Sequence, residues 1–215
     1  MLEKRNVWLP VVLMIVFAIT RWPGLMPPNF SAAYALVFCA GVFFRNRLGW
    51  WVPLVIMALT DLALNFFYYR PRGWGGFQIY QLMNYAAYAA IFLLGRRFKP
   101  NANFLSMVGG GLMSAILFYL ITNTAAWFFN PFGNGEYHHN WESWLLAMTL
   151  GTGSWPDTWM FFRNTLLSSG LFTALFAAAM KVSERMESAA EKKAANASAE
   201  SEVPDAEPQP EESKA

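Results

Sequence analysis

The sequence lacks most of the features from which a catalytic chemistry could be inferred. Its 215 residues include one cysteine, two histidines and only 14% charged residues. The single cysteine excludes an internal disulfide, and Cys39 lies within an apolar stretch, so we expect a small buried core residue there. No GxxxxGK[ST] loop, GxSxG motif or cofactor fingerprint occurs. We therefore predict no nucleotide hydrolysis by a P-loop, no catalytic residue and no cofactor.

The two histidines do not have the spacing of a metal site. His138 and His139 are adjacent in a loop rich in glycine and asparagine, with Glu136 and Glu142 nearby. The HxxxH and HExxH patterns place two imidazoles on one helical face, and this loop has neither. We predict no bound metal. An enzyme that uses this histidine loop is a functional alternative, the third after the two that are described at the end of this subsection.

Long apolar stretches dominate the chain instead. Hydrophobic residues make up 55% of it, and a helix needs about 20 mostly apolar residues to cross a hydrocarbon core of about 30 Å. The stretches predict an all-α, polytopic membrane protein with about six transmembrane helices, with five or seven as alternatives. The six predicted spans are Val7–Thr20, Ser31–Phe44, Trp51–Tyr69, Gln78–Leu94, Phe104–Phe129 and Trp159–Val182.

The positions of Lys and Arg predict the orientation of these spans. With loops assigned to alternate sides, eleven basic residues fall on one side, and Arg21, Arg70, Arg72 and Arg163 fall on the other, which has no lysine. The side richer in positive charge is expected to face the cytoplasm. Both termini are therefore predicted to be cytoplasmic in a multi-pass protein of the cell membrane, and no nucleic-acid partner is expected.

The composition changes near residue 183. Up to Ser183 the chain holds twelve basic and five acidic residues, and after it four basic and nine acidic residues. We expect residues 1–183 to form a transmembrane helical bundle, and residues 184–215 to extend the last helix before becoming a disordered acidic tail. Within the longest outer connection, the amphipathic segment Trp141–Thr149 predicts a short interfacial helix.

Polar side chains concentrate in the outer half of the predicted bundle. Such groups are costly in a membrane and indicate a functional site, with hydrogen bonds that hold helices together as the alternative. Asp61 and Arg163 differ in depth by only about 4–5 Å at 1.5 Å per residue, so we predict an intramembrane ion pair between them. Its role is either structural or ligand-binding, and the residue pattern leaves both open.

Three segments of the chain carry a family resemblance. They are Pro28–Ser31 continuing into Ala35–Arg45, then Pro53–Leu62, and Phe161–Leu167 continuing into Leu171–Thr173. They resemble the bacterial membrane family DUF6580, which is similar to the substrate-binding S components of energy-coupling factor (ECF) vitamin transporters. The resemblance, which covers roughly residues 6–182, implies a six-helix bundle with a ligand pocket near the outer face. It also implies docking on a transmembrane coupling subunit with two ATPases.

The leading expected function is capture of a vitamin-like small molecule at the outer face for uptake, without chemistry on this chain. The alternative from another class is a structural or assembly membrane protein without a ligand. Tryptophan offers a flat apolar face, amides fix orientation, and the arginine fork suits a carboxylate or phosphate. The predicted ligand-binding residues are Asn65, Asn84, Asn123, Arg163 and Asn164, together with Trp141 and Trp155 in the lid above them.

Overall fold

The computed structural model of the chain describes residues 8–44, 48–73, 81–153 and 155–201. The secondary-structure elements in these residues are all helices. A π-helical turn (Asn65–Tyr69) and a 3₁₀ turn (Arg70–Arg72) continue the third helix. The α-helices are α1 (Trp8–Thr20), α2 (Ala33–Phe43), α3 (Leu48–Leu64), α4 (Leu82–Arg96), α5 (Phe104–Phe129), α6 (Trp141–Met148) and α7 (Thr158–Ser201).

The all-α prediction is confirmed for the described residues, and each predicted apolar stretch overlaps one of these helices. The fifth stretch has the predicted bounds, Phe104–Phe129, and the short helix predicted over Trp141–Thr149 is α6. The start of the fourth stretch, Gln78, lies outside the described residues. So do the basic pairs Lys4 with Arg5 and Arg45 with Arg47, on which part of the orientation argument depends.

Two helices are long and apolar enough to cross a membrane, over Phe104–Phe129 and Thr158–Met186. The other predicted spans form shorter helices, of 13 residues in α1, 11 in α2, 17 in α3 and 15 in α4. At a rise of 1.5 Å per residue, α2 is only about 16 Å long. In the described part of the chain, helix length therefore directly supports two membrane-crossing helices.

The centre of the bundle is α2. All eleven of its residues are buried, and the helix packs against α1, α3, α4 and α5. A helix that is apolar on every side belongs in a core or a membrane, because it has no face to present to water. Cys39 is one of its buried residues, in agreement with the prediction of a small core residue.

Glycine allows α2 and α4 to touch through their backbones. A Cβ placed on Gly41 would lie 2.4 Å from the Phe92 carbonyl oxygen, and a Cβ on Gly95 would lie 2.3 Å from the Phe38 carbonyl oxygen. No side chain fits at either position without moving a backbone. The two helices can approach this closely only because both crossing residues are glycine, an arrangement common in membrane helix pairs.

A second glycine contact joins α5 to α7. The Cβ of any other residue at Gly111 would lie 2.2 Å from Thr173 Oγ1, and Ser169 Oγ donates a hydrogen bond of 2.6 Å to the Gly111 carbonyl oxygen. The neighbouring Gly110 faces the ring of Phe38. The Gly109–Gly111 segment, which the sequence indicates as a helix-packing contact, therefore serves that purpose at two of its three positions.

The chain divides into two compact units, residues 1–179 and residues 180–215. The first contains every side chain discussed below. The described part of the second, residues 180–201, is helical. The remainder of the predicted tail, residues 202–215, lies outside the described residues, so the expected disorder there stays a prediction.

Candidate functional site

The cap segment, residues 130–157, joins α5 to α7 and contains the short helix α6. Its short helix forms because Asn140 caps it: the Asn140 side chain accepts a hydrogen bond of 2.8 Å from the Ser143 backbone N–H. The Ser143 side chain returns to the Asn140 backbone, which completes a capping box. This reciprocal pairing satisfies backbone donors that the first turn of a helix would otherwise leave open.

Three side-chain hydrogen bonds fasten α6 to α5. Tyr119 Oη donates to the Met148 carbonyl oxygen over 2.6 Å. The indole N–H groups of Trp127 and Trp144 donate to Ser143 Oγ (2.9 Å) and Thr124 Oγ1 (3.1 Å). Each of these aromatic residues contributes apolar area and one polar atom with a partner, the usual arrangement for buried Tyr and Trp. The cap segment is therefore fixed to the end of α5.

The beginning of the cap segment is held by its own asparagines. Asn130 adopts a left-handed conformation (φ 40°), its side-chain amide donates to the Asn134 carbonyl oxygen (2.9 Å), and its Oδ1 accepts from the Asn134 N–H (2.7 Å). His139 Nε2 lies 2.8 Å from the Phe128 carbonyl oxygen. That histidine thus contributes to the local structure of the loop.

An open cavity of about 290 Å³ lies between the end of α5, the cap segment and the start of α7. The volume is at the lower end of the range for small-molecule sites, which runs from about 300 to 1,000 Å³. Its walls combine aromatic rings with amide and hydroxyl groups. The lining residues are Asn123, Ala126, Phe132, Asn134, Tyr137, Gly151, Thr152, Trp155, Pro156, Thr158 and Phe161.

The polar groups of this cap pocket can both donate and accept hydrogen bonds. The Asn123 amide N–H₂ donates to the Tyr119 carbonyl oxygen of the preceding turn (2.9 Å), which directs its bond-donating side to the helix. Burial and the nearby Glu136 raise the pKa of the Tyr137 hydroxyl above its usual value. A tyrosine hydroxyl is protonated at neutral pH even without this shift, so Tyr137 can donate a hydrogen bond.

Two of the predicted ligand-binding residues, Asn123 and Trp155, line the cap pocket. The other predicted residues are placed elsewhere. Arg163 is exposed and its guanidinium lies 5.5 Å from the ring centroid of Trp159. The Asn164 amide donates to the Pro28 carbonyl oxygen (3.0 Å), in the loop between α1 and α2.

The remaining three predicted residues are not among the lining residues of the pocket. Trp141 is 68% exposed and stacks on Trp144 with ring centroids 4.8 Å apart. Asn65 begins the π-helical turn after α3, and Asn84 lies on α4. All the described lining residues of the cap pocket are uncharged. The expected binding of a carboxylate or phosphate by Arg163 therefore has no support from the pocket.

The prediction that Asp61 forms an ion pair with Arg163 names the wrong partner. In the structure Asp61 pairs with Arg21, which directly follows α1. The Arg21 guanidinium also donates to Thr60 Oγ1 over 2.7 Å, and Tyr85 Oη on α4 donates to the second carboxylate oxygen of Asp61 over 2.6 Å. The carboxylate thus joins α1, α3 and α4 in one polar network.

Sequence reasoning missed Arg21 because it counted that residue only as a loop charge. A usable signal was present: Arg21 is the first charged residue after an apolar stretch that is predicted to leave the membrane on the side nearer to Asp61. An arginine can reach back into a membrane from the end of a helix, because its long stem is apolar. The similar depths of Asp61 and Arg163 in the predicted bundle do not show which helices pack against each other.

The chain belongs to the family described as DUF6580, a family of unknown function, whose model matches residues 2–192. The match covers α1 to α6 and most of α7, including the Arg21–Asp61 pair and the cap pocket. Comparison with curated proteins and with solved structures found no match to either.

Proposed function

We propose that the protein is a multi-pass protein of the bacterial cell membrane with about six transmembrane helices. Two long apolar helices and four shorter ones support this. Large apolar side chains are also strongly exposed, such as Leu105 at 81% and Phe67 at 72%. Water-soluble monomers rarely expose large contiguous apolar patches, whereas a lipid environment accommodates them without cost.

The charge distribution supports cytoplasmic termini in this arrangement. A reporter enzyme that is active only in the cytoplasm, fused to either end of the full chain, is expected to be active in both fusions, because the basic loops lie on that side. A periplasm-specific reporter at the same sites serves as the control. Activity of the cytoplasmic reporter at one end only would require an odd number of spans and contradict the proposal.

Within this framework we propose that the protein captures an uncharged, partly aromatic, vitamin-like molecule at the outer face for uptake. The observation that carries this proposal is the cap pocket, which has Trp155 and Phe161 as flat apolar walls and Asn123 and Tyr137 as polar groups. Pockets with mostly apolar walls and a few placed polar groups are typical of small-molecule sites. The hydrogen bonds that fix the cap segment keep such a pocket formed without a ligand.

The first test is native mass spectrometry of protein extracted gently from its own membrane. We expect a small molecule to be retained, and Trp155→Ala to lower its affinity about tenfold, which corresponds to a loss of ~1.4 kcal/mol. Trp141→Ala is the matched control, because Trp141 is similarly exposed but does not line the pocket. Equal effects of the two substitutions would contradict a site at this position.

We further propose that the protein acts as an ECF S-component-like subunit that docks on a transmembrane coupling subunit with two ATPases. The similarity of the DUF6580 family, which its three sequence segments resemble, to that class supports the proposal, and the pocket under the cap segment is compatible with it. Affinity purification from the native membrane is the direct measurement. Recovery of a coupling subunit and ATPases in fixed proportion is the expected result.

The assembly alternative has one observation in its favour. Asn123 and Asn164, both predicted to bind ligand, donate hydrogen bonds to backbone carbonyl groups of the protein itself. Polar residues that stabilise helix contacts in a membrane do the same. Stoichiometric partner proteins without ATPases and without a retained small molecule would favour an assembly role over capture.

A further inference from the structure

A second cavity, about 340 Å³ in volume, lies between α3 and α4 and is almost entirely apolar. We call it the lateral groove. Its lining residues are Val37 from α2, Pro53 and Leu54 from α3, and Ala89, Phe92 and Leu93 from α4. None of them lines the cap pocket, so the groove is a separate cavity.

The groove exists because α3 and α4 each pack against α2 more than against each other. Gly41 and Gly95 let α4 lie directly on the backbone of α2, and Ala89 adds little bulk to the wall. At one end the gap is closed by the hydrogen bond from Tyr85 to Asp61. One turn beyond Tyr85 along α4, Ala89 begins the apolar wall.

A basic residue follows the apolar wall along α4. On a helix, residues four apart share a face, so Ala89, Leu93 and Arg97 form one line along α4. Arg97 keeps helical backbone angles (φ −76°, ψ −17°), which continues this line past the end of the helix, and its side chain is exposed. This line of residues therefore passes from the apolar wall at Leu93 to the cation of Arg97 within one helical turn.

We propose that the lateral groove binds an anionic phospholipid, with an acyl chain against Leu54, Ala89 and Leu93 and the phosphate at Arg97. The proposal rests on the membrane location argued above, but not on ligand capture. Apolar walls match the chain, and Arg97 matches the negative headgroup. Basic sites on the cytoplasmic side attract anionic lipids in this way, and the positive-inside count places Arg97 on that side.

The test uses the full chain in an uncharged detergent, with phosphatidylglycerol or phosphatidylcholine of identical acyl chains added. Thermal unfolding is followed by tryptophan fluorescence, and retained lipid is counted by native mass spectrometry. A ligand at about 100 times its Kd is expected to raise the Tm by about 5–10 °C for a chain of this size. We expect this rise with phosphatidylglycerol and a clearly smaller one with phosphatidylcholine.

Two variants locate the site, each with a matched control. Ala89→Phe fills the groove and is expected to abolish the rise, whereas Ala178→Phe adds the same bulk at an exposed position on α7 and is expected to keep it. Arg97→Gln is expected to reduce the response to phosphatidylglycerol to that of phosphatidylcholine. Lys99→Gln, which removes one exposed charge two residues further on, is expected to retain the difference.

Equal responses to the two lipids in the unsubstituted protein would overturn the proposal, because the net negative charge of the headgroup would then make no difference at Arg97. A full response in Ala89→Phe would also overturn it, because the lipid would then bind elsewhere. If Ala89→Phe does not fold, Arg97→Gln decides alone through the count of retained phosphatidylglycerol. Binding of a small molecule in the cap pocket is measured separately through Trp155, so failure of one site leaves the other interpretable.

Discussion

Gly95→Ala is expected to lower the free energy of unfolding by about 2–3 kcal/mol, and the Tm by about 4–12 °C. The added Cβ would lie 2.3 Å from the Phe38 carbonyl oxygen and 3.1 Å from Gly41 Cα. Both are backbone atoms, so no side-chain rotation relieves the overlap, and α2 must move away from α4. Thermal unfolding of the purified protein in detergent gives the measurement.

Gly109→Ala is the matched control for this substitution. Gly109 is also a helical glycine, but nothing lies within 4 Å of a Cβ placed there. Alanine is a better helix former than glycine by about 1 kcal/mol, so this variant is expected to be as stable as the original protein or slightly more stable. If both variants had the same stability, the close approach of α2 and α4 would not be a feature of the folded protein.

Much of the helical architecture could be predicted from the sequence, for a physical reason that particular stretches illustrate. A run such as Phe104–Phe129 is apolar, lacks proline and charge, and forms the helix α5 with the predicted bounds. The cap helix was predictable from its amphipathic pattern, and Asn140 stands at the position of an N-cap. Local sequence carries this information, because a helix satisfies its backbone within one segment.

The relations between helices were less predictable, since they depend on which faces meet. Gly41 and Gly95 are far apart in the sequence, and nothing local indicates that their backbones touch. The candidate site likewise combines residues that the sequence could predict with residues that depend on how the chain packs. Asn123 and Trp155 were identified through position and residue type, whereas Tyr137 and Thr152 enter the pocket only because of the way the cap segment folds back.

The central position of α2 explains why a helix as short as 11 residues fits among longer ones. All its side chains are buried by protein, so its length is set by the neighbouring helices and not by the thickness of a lipid core. Hydropathy identifies such a segment as apolar, but it does not distinguish burial in protein from exposure to lipid. The predicted six spans therefore include one whose surroundings are mainly protein.

Removing one member of the Arg21–Asp61 pair is expected to destabilise the protein more than any other single substitution considered above. Side chains of Arg21 and Asp61 are only 16% and 26% exposed, and breaking a buried pair leaves an uncompensated charge at a cost of about 3–5 kcal/mol. Asp61→Asn and Arg21→Gln are each expected to lower the Tm by about 6–20 °C. Thermal unfolding in detergent measures both effects.

A double-mutant cycle distinguishes the observed partner from the one that depth alone predicts. The combined variant Arg21→Gln with Asp61→Asn is expected to be less destabilised than the sum of the single variants, because neither charge is then left alone. Arg163→Gln, which removes an exposed arginine lying against Trp159, is expected to have a small effect that adds independently to that of Asp61→Asn. Strong coupling of Asp61 to Arg163, without coupling to Arg21, would reverse the assignment. In that case the sixth predicted span, and not the end of the first, would hold the carboxylate of α3.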